Sequence, residues 1–123
     1  MIGYVTIGTN DLDAAIAFYD ALFKGQKVRK IFATDTLVTY GFGGDKPAFM
    51  VTRPFDGDAA AAGNGQMIAL NVDAVEDVKS LHARALELGG SDEGAPGWRG
   101  DNFYGAYFRD LDGNKLNFYI WRS

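Results

Sequence analysis

Tyr4-Val-Thr-Ile-Gly-Thr-Asn-Asp-Leu-Asp-Ala-Ala-Ile-Ala-Phe-Tyr-Asp-Ala-Leu-Phe-Lys-Gly25 contains one change of hydrophobic period, and that change decides the fold. From Tyr4 to Ile7 the residues alternate, with Val5 and Ile7 on one face and Tyr4 and Thr6 on the other, as in a half-buried strand. Asn10 or Asp11 then supplies an N-cap. Leu12, Ala15, Ile16, Tyr19, Leu22 and Phe23 recur at helical spacing until Gly25 stops the run. A strand thus leads directly into an amphipathic helix.

Further along the chain the same unit returns. Sliding the sequence so that Tyr4 falls on Met67 brings Val5 onto Ile68, Ile7 onto Leu70, Leu12 onto Val75, Ala15 onto Val78 and Leu22 onto Ala85. Side-chain identity is slight, yet the apolar pattern coincides, as two copies of one supersecondary unit require. In the first copy, strands are predicted at Val28–Ala33, Thr36–Phe42 and Ala48–Thr52, with Gly43-Gly44-Asp45 turning the chain between the last two. In the second, the helix marked by Val75, Val78, Leu81, His82, Ala85 and Leu88 stops at Gly89-Gly90, with Asp73 placed to cap it. Ser91 to Asn102 reads as an irregular, glycine-rich connection. Strands Tyr104–Arg109 and Lys115–Trp121 then flank Asp110-Leu-Asp-Gly-Asn114, whose Asp-Gly-Asn suits a hairpin turn. Arg53 to Gln66 has no periodic face and abundant turn formers.

The predicted architecture is α+β: tandem βαβββ modules, about 1–53 and 66–123, joined by a linker at 54–65 within a single domain of 123 residues. One strand face takes the helices, so the other faces of the two modules can curl around a central cleft.

Composition narrows the chemistry. No cysteine is present, which removes disulfides, thiolate metal sites and a cysteine nucleophile, and a single histidine removes any multi-histidine centre. Sixteen acidic against twelve basic residues give a net charge of −4, a field that repels polyanions, so no nucleic acid partner is expected. No apolar run approaches the length of a membrane span, and the N-terminus lacks the pattern of a leader; a cytoplasmic protein that does not contact membranes is expected.

Three pieces of sequence carry a family resemblance: Asp11-Leu12-Asp13 followed by Ala17-Phe18-Tyr19; Val78 to Gly90 with Leu81-His82-Ala83 and Leu88-Gly89-Gly90; and Tyr107-Phe-Arg-Asp-Leu-Asp-Gly-Asn-Lys-Leu116. In order and spacing they resemble the vicinal oxygen chelate superfamily, the glyoxalase, bleomycin-resistance and extradiol-dioxygenase proteins. The resemblance implies a curled sheet around a cleft, commonly closed by two-fold pairing, so a homodimer is expected. It also implies four metal-ligand positions, which fall on Tyr4, Met50, Met67 and Asn117. None of the four is a usual donor. Members that lack the metal and sequester a small molecule fit better, so no metal and no cofactor are expected.

The candidate ligand-binding set is Tyr4, Thr6, Met50, Met67, Trp98, Arg99, Tyr104, Asn117 and Tyr119. Strand alternation puts Tyr4, Thr6, Met50, Met67, Asn117 and Tyr119 on the face away from the helices, while Trp98 and Arg99 lie where similar proteins approach their ligand. The expected partner is a small organic, aromatic or drug-like molecule. The alternative is a glyoxalase-like lyase or dioxygenase-related enzyme using an atypical metal site or acid–base chemistry by Tyr4, Tyr104, Tyr119 or Arg99. His82 reads as a packed structural histidine, and Asp110, Asp112 and Asn114 as a turn, because the glycine comes too early for a calcium loop.

Overall fold

The computed structural model describes all residues from Met1 to Ser123. The chain divides into two compact units, Met1–Ala62 and Gly63–Ser123. The first contains β1 (Tyr4–Gly8), α1 (Leu12–Leu22), β2 (Arg29–Ala33), β3 (Leu37–Gly41) and β4 (Ala48–Thr52). The second contains β5 (Ile68–Asn71), α2 (Val75–Glu87), β6 (Ser91–Arg99), β7 (Phe103–Arg109) and β8 (Lys115–Trp121). Each unit holds a four-stranded mixed sheet, in the orders β1-β4-β3-β2 and β5-β8-β7-β6, with the first strand parallel to the last and the other pairs antiparallel. The recurring βαβββ order read from the sequence is present in both.

In the first unit Asp11 caps α1, its carboxylate accepting from the Ala14 N–H at 3.0 Å. The helix buries Leu12, Ala15, Phe18, Tyr19 and Leu22, while alternation in β3 and β4 buries Val38, Tyr40, Phe49 and Val51. Their rings lock edge to face, Tyr19 to Phe49 at 5.1 Å and Phe23 to Tyr40 at 5.4 Å between centroids. Tyr40 sends its hydroxyl to Asp20 at 2.8 Å, and the other carboxylate oxygen of Asp20 holds Lys30 at 2.8 Å.

In the second unit α2 buries Val78, Leu81, His82 and Ala85, and the strands bury Ala106, Phe108, Leu116 and Phe118. Asp73 does not cap this helix: the N-cap is Ala74, which has no side-chain hydrogen bond to offer. The helix ends through Gly89, at φ +106, and the Gly90 N–H, which bonds Ala85 O at 2.9 Å. A Cβ on Gly90 would stand 2.7 Å from Arg109 O, so the chain passes β7 too closely for any side chain.

Ser91 to Asn102, expected as an irregular connection, is mostly sheet. Ser91 to Arg99 is a strand, pairing with β7 through two irregularities, Asp92/Gly94 and Gly94/Gly97. Gly94, Pro96 and Gly97 look like loop formers, but bulges absorb such residues at a sheet edge while the ladder continues on either side.

Candidate functional site

Each sheet has one face packed by its own helix and one helix-free face, and the polar candidates concentrate on the latter. In the first unit, Thr6, Met50 and Thr39 stand side by side on adjacent strands, with Tyr4 one pleat away opposite Ala48. Tyr4 is 62% exposed. Thr39 is 4% exposed, and its hydroxyl has no hydrogen-bond partner.

In the second unit the equivalent row is Ala69, Asn117 and Tyr107. Asn117 is 1% exposed, and its amide oxygen has no partner. A buried amide left unsatisfied costs about 1–3 kcal/mol. Along β8 the alternation is strict: Leu116 and Phe118 go under the helix, while Lys115, Asn117, Tyr119 and Trp121 share the other face. Tyr119 stacks on Phe103, 5.2 Å between centroids and 8° from parallel. Met67 precedes β5 and is exposed.

Arg99 reaches back across the bulges of β6. Its guanidinium donates to Gly97 O at 2.8 Å, Gly105 O at 3.0 Å and Ala95 O at 2.8 Å, and lies 5.4 Å from the Tyr107 ring centroid. The ammonium of Lys115 is 5.5 Å from the same centroid. Arg109 is ion-paired to Glu93 through its Nε and bonded to Gly113 O at 2.9 Å. That pairing with Arg109, assisted by Lys115, holds the Glu93 carboxyl below its usual range.

Trp98 and Tyr104 are not with this group. They are register partners on the face that also carries Ala106 and Phe108, and their rings meet edge to face at 5.2 Å. Arg122 caps Trp98 at 4.3 Å from its centroid. Of the second-unit candidates, the helix-free face therefore gathers Asn117, Tyr119 and Arg99, adds Tyr107, Lys115 and Phe103, and leaves Trp98 and Tyr104 behind the sheet. Extending the alternation of β7 and β8 outward from Asn117 would have found Tyr107 and Lys115 in the sequence.

His82 belongs to the packing of α2. Buried at 5% exposure, its Nε2 lies 3.1 Å from both Tyr107 O and Asp92 Oδ1. The Gly94 N–H, and after it His82, hold the Asp92 carboxyl below its usual range. Asp110 is likewise structural: its Oδ1 accepts from the N–H groups of Asp112 and Asn114, and its Oδ2 from the Asn114 side chain at 3.0 Å.

Residues 1–118 fit the family model of the Glyoxalase/Bleomycin resistance protein/Dioxygenase superfamily. The chain belongs to this superfamily. A glyoxalase/bleomycin-resistance protein from Albidiferax ferrireducens has 32% identity and a TM-score of 0.88, with 98% of each chain covered. At fold level the chain also resembles a glyoxalase-related enzyme from Fulvimarina pelagi, with 21% identity and a TM-score of 0.80 over 98% of this chain and 87% of that one. A lactoylglutathione lyase from Agrobacterium tumefaciens gives 21% identity and a TM-score of 0.72 over 98% and 92%. No curated protein matches the sequence.

Family membership makes the donor set at the four expected metal positions a direct test of fit. Tyr4, Met50, Met67 and Asn117 offer a phenol, two thioethers and a neutral amide, with no carboxylate for a hard cation and no imidazole for zinc. The one imidazole, His82, lies beneath the helix-bearing face of its sheet. In neither unit do three His, Cys, Asp or Glu side chains converge. The residues present do not fit a divalent metal at these positions. No helix is long and apolar enough to cross a membrane.

Proposed function

We propose that this member of the superfamily is a homodimeric binder of a small organic molecule, using the helix-free sheet faces without a divalent metal. One feature carries the reading: the four positions to which the family resemblance assigns metal ligands hold Tyr4, Met50, Met67 and Asn117. An ion brought to such neutral donors would lose its hydration without compensation. The same faces carry the aromatic and hydrogen-bonding mixture usual in ligand sites, including two buried polar atoms with no partner inside the protein.

Native mass spectrometry of tag-free protein tests the metal and the assembly together. The expected species is a dimer without bound metal, whose melting temperature does not respond to chelator. A monomer at tens of micromolar removes the dimer from the proposal, and one equivalent of transition metal per chain, stripped by chelator, overturns its metal-free part. A thermal-shift screen then finds the ligand, because a compound at about a hundred times its Kd stabilises by about 2.7 kcal/mol.

A further inference from the structure

We infer that the helix-free face of the second sheet is built for a planar organic anion, its acidic group held by Lys115 and Arg99 and its ring by Tyr119, Phe103 and Trp121. The inference rests on the binding reading above and names the chemical class of the ligand.

The charges of the second unit are unevenly placed. Between residues 63 and 123 there are nine acidic and six basic side chains, so this unit is net negative. Its helix-free sheet face has the opposite sign. Arg109 and Lys115 are register partners in the β7–β8 ladder, and Arg99 folds onto Tyr107 beside them. Glu93 is the one carboxylate among them, and it is bonded to Arg109. The other acids of the unit sit elsewhere: Asp73, Glu76, Asp77 and Glu87 in or beside α2, Asp92 against His82, Asp101 between β6 and β7, and Asp110 and Asp112 in the hairpin turn.

The three cations share one carboxylate, Glu93, which is bonded to Arg109 and also lies within the field of Lys115. Arg99 is held by three neutral carbonyl oxygens, and the contact made by Lys115 is the Tyr107 ring. One carboxylate cannot neutralise three cations, so the face keeps a net positive charge. Arg99 and Lys115 hold theirs at a non-polar ring, where an arriving anion meets a lower dielectric than in bulk water.

Successive side chains on the β8 face are spaced about 7 Å apart. Reading along it gives a cation at Lys115, an amide with an unpartnered oxygen at Asn117, then the Tyr119 ring stacked on Phe103, then the exposed Trp121. A flat molecule with a carboxylate at one end and an aromatic body matches that order. A cationic ligand would face Lys115 and Arg99 with like charge.

Three probes of one shape separate the possibilities: 2-naphthoate, neutral 2-naphthamide and 2-naphthylmethylammonium, each titrated into the full-length protein and followed by amide NMR. The expected result is binding of naphthoate with shifts in β7, β8 and the Asn117 side chain. Its Kd should be about tenfold below that of naphthamide, about 1.4 kcal/mol, with the cation weakest. Added salt should shrink the ratio. Lys115→Met should abolish the preference, Lys115→Arg should retain it, and Lys79→Met, on α2, should leave it unchanged, with circular dichroism confirming that each variant is folded. If naphthamide or the cation binds this face as tightly as naphthoate, or Lys115→Met keeps the preference, the anion assignment is wrong while the binding reading stands. If none of the three shifts these strands at millimolar concentration, the anion assignment is overturned, and if the thermal-shift screen also yields no ligand, the binding reading falls with it.

Discussion

Two polar side chains near one hairpin show how differently buried polarity is used. Asp110 is buried with both carboxylate oxygens occupied by turn donors, so Asp110→Ala would strand those donors. We expect a loss of about 2–3 kcal/mol, within the range for hydrogen bonds to a charged group. Asn117 is the reverse case, equally buried but with its amide oxygen unpaired. Asn117→Leu removes the orphaned group and keeps a side chain in the sheet, so the protein should gain about 1 kcal/mol, raising Tm by several degrees. Urea titration of both variants checks the signs. A destabilised Asn117→Leu would mean that the amide is satisfied in solution and is not held ready for a ligand. The motif around Asp110 was legible as a turn because its glycine spacing excludes a calcium loop. The state of Asn117 was not legible, because a lone amide in an alternating strand reads the same whether or not it is paired.

At the scale of elements, the first unit was readable almost throughout, since α1 follows its apolar stripe and β3 and β4 alternate around Val38, Tyr40, Phe49 and Val51. β6 was hidden. Gly94, Pro96 and Gly97 are punctuation by local rules, and the segment stays in the sheet through its ladder to β7 together with a contact beyond those rules, Arg99 bonding Ala95 O, Gly97 O and Gly105 O. The same irregular segment obscured the site: residue counting through it could not set which way Trp98 points, and Trp98 with Tyr104 faces away from Asn117. Arg99→Ala should therefore loosen β6 selectively. We expect a global cost of about 1–2 kcal/mol, moderated by exposure, with amide exchange quickening in 91–99 more than in β7 or β8. Arg99→Lys keeps the charge but lacks the fork, so it should restore only part of the protection. Uniform quickening across the whole unit would show that the bulges hold without Arg99.

For the whole molecule, the two units repeat one topology, yet the groups whose titration folding shifts lie at opposite ends of the pH scale, Tyr40 in the first and Asp92 and Glu93 in the second. In the first, burial and then the bond to Asp20 push the Tyr40 phenol well above its ordinary 10.0. A group whose neutral form is favoured by folding stabilises fully below its unfolded value, and that contribution is lost as pH rises above 10.0 towards the folded value. In the second, Asp92 and Glu93 are held below their ordinary 3.8 and 4.5. Folding favours their charged forms, so their contribution is present above those values and disappears as pH falls through the lowered ones. Both carboxylates are well exposed to water, so the acid effect is modest and local to β6. Residue-resolved amide exchange should thus find protection lost first in 91–99 on acidification, and first around Tyr40 and α1 at alkaline pH. Tyr40→Phe removes this phenol while Tyr4 and Tyr19 remain, so it should raise the pH of the alkaline onset in the first unit without changing the acid one. Glu93→Gln, with Asp92 still present, should weaken the acid loss in the second without changing the alkaline one. If both units lost protection together at each extreme, or Tyr40→Phe left the alkaline onset where it was, the division of pH sensitivity between the repeats would be refuted.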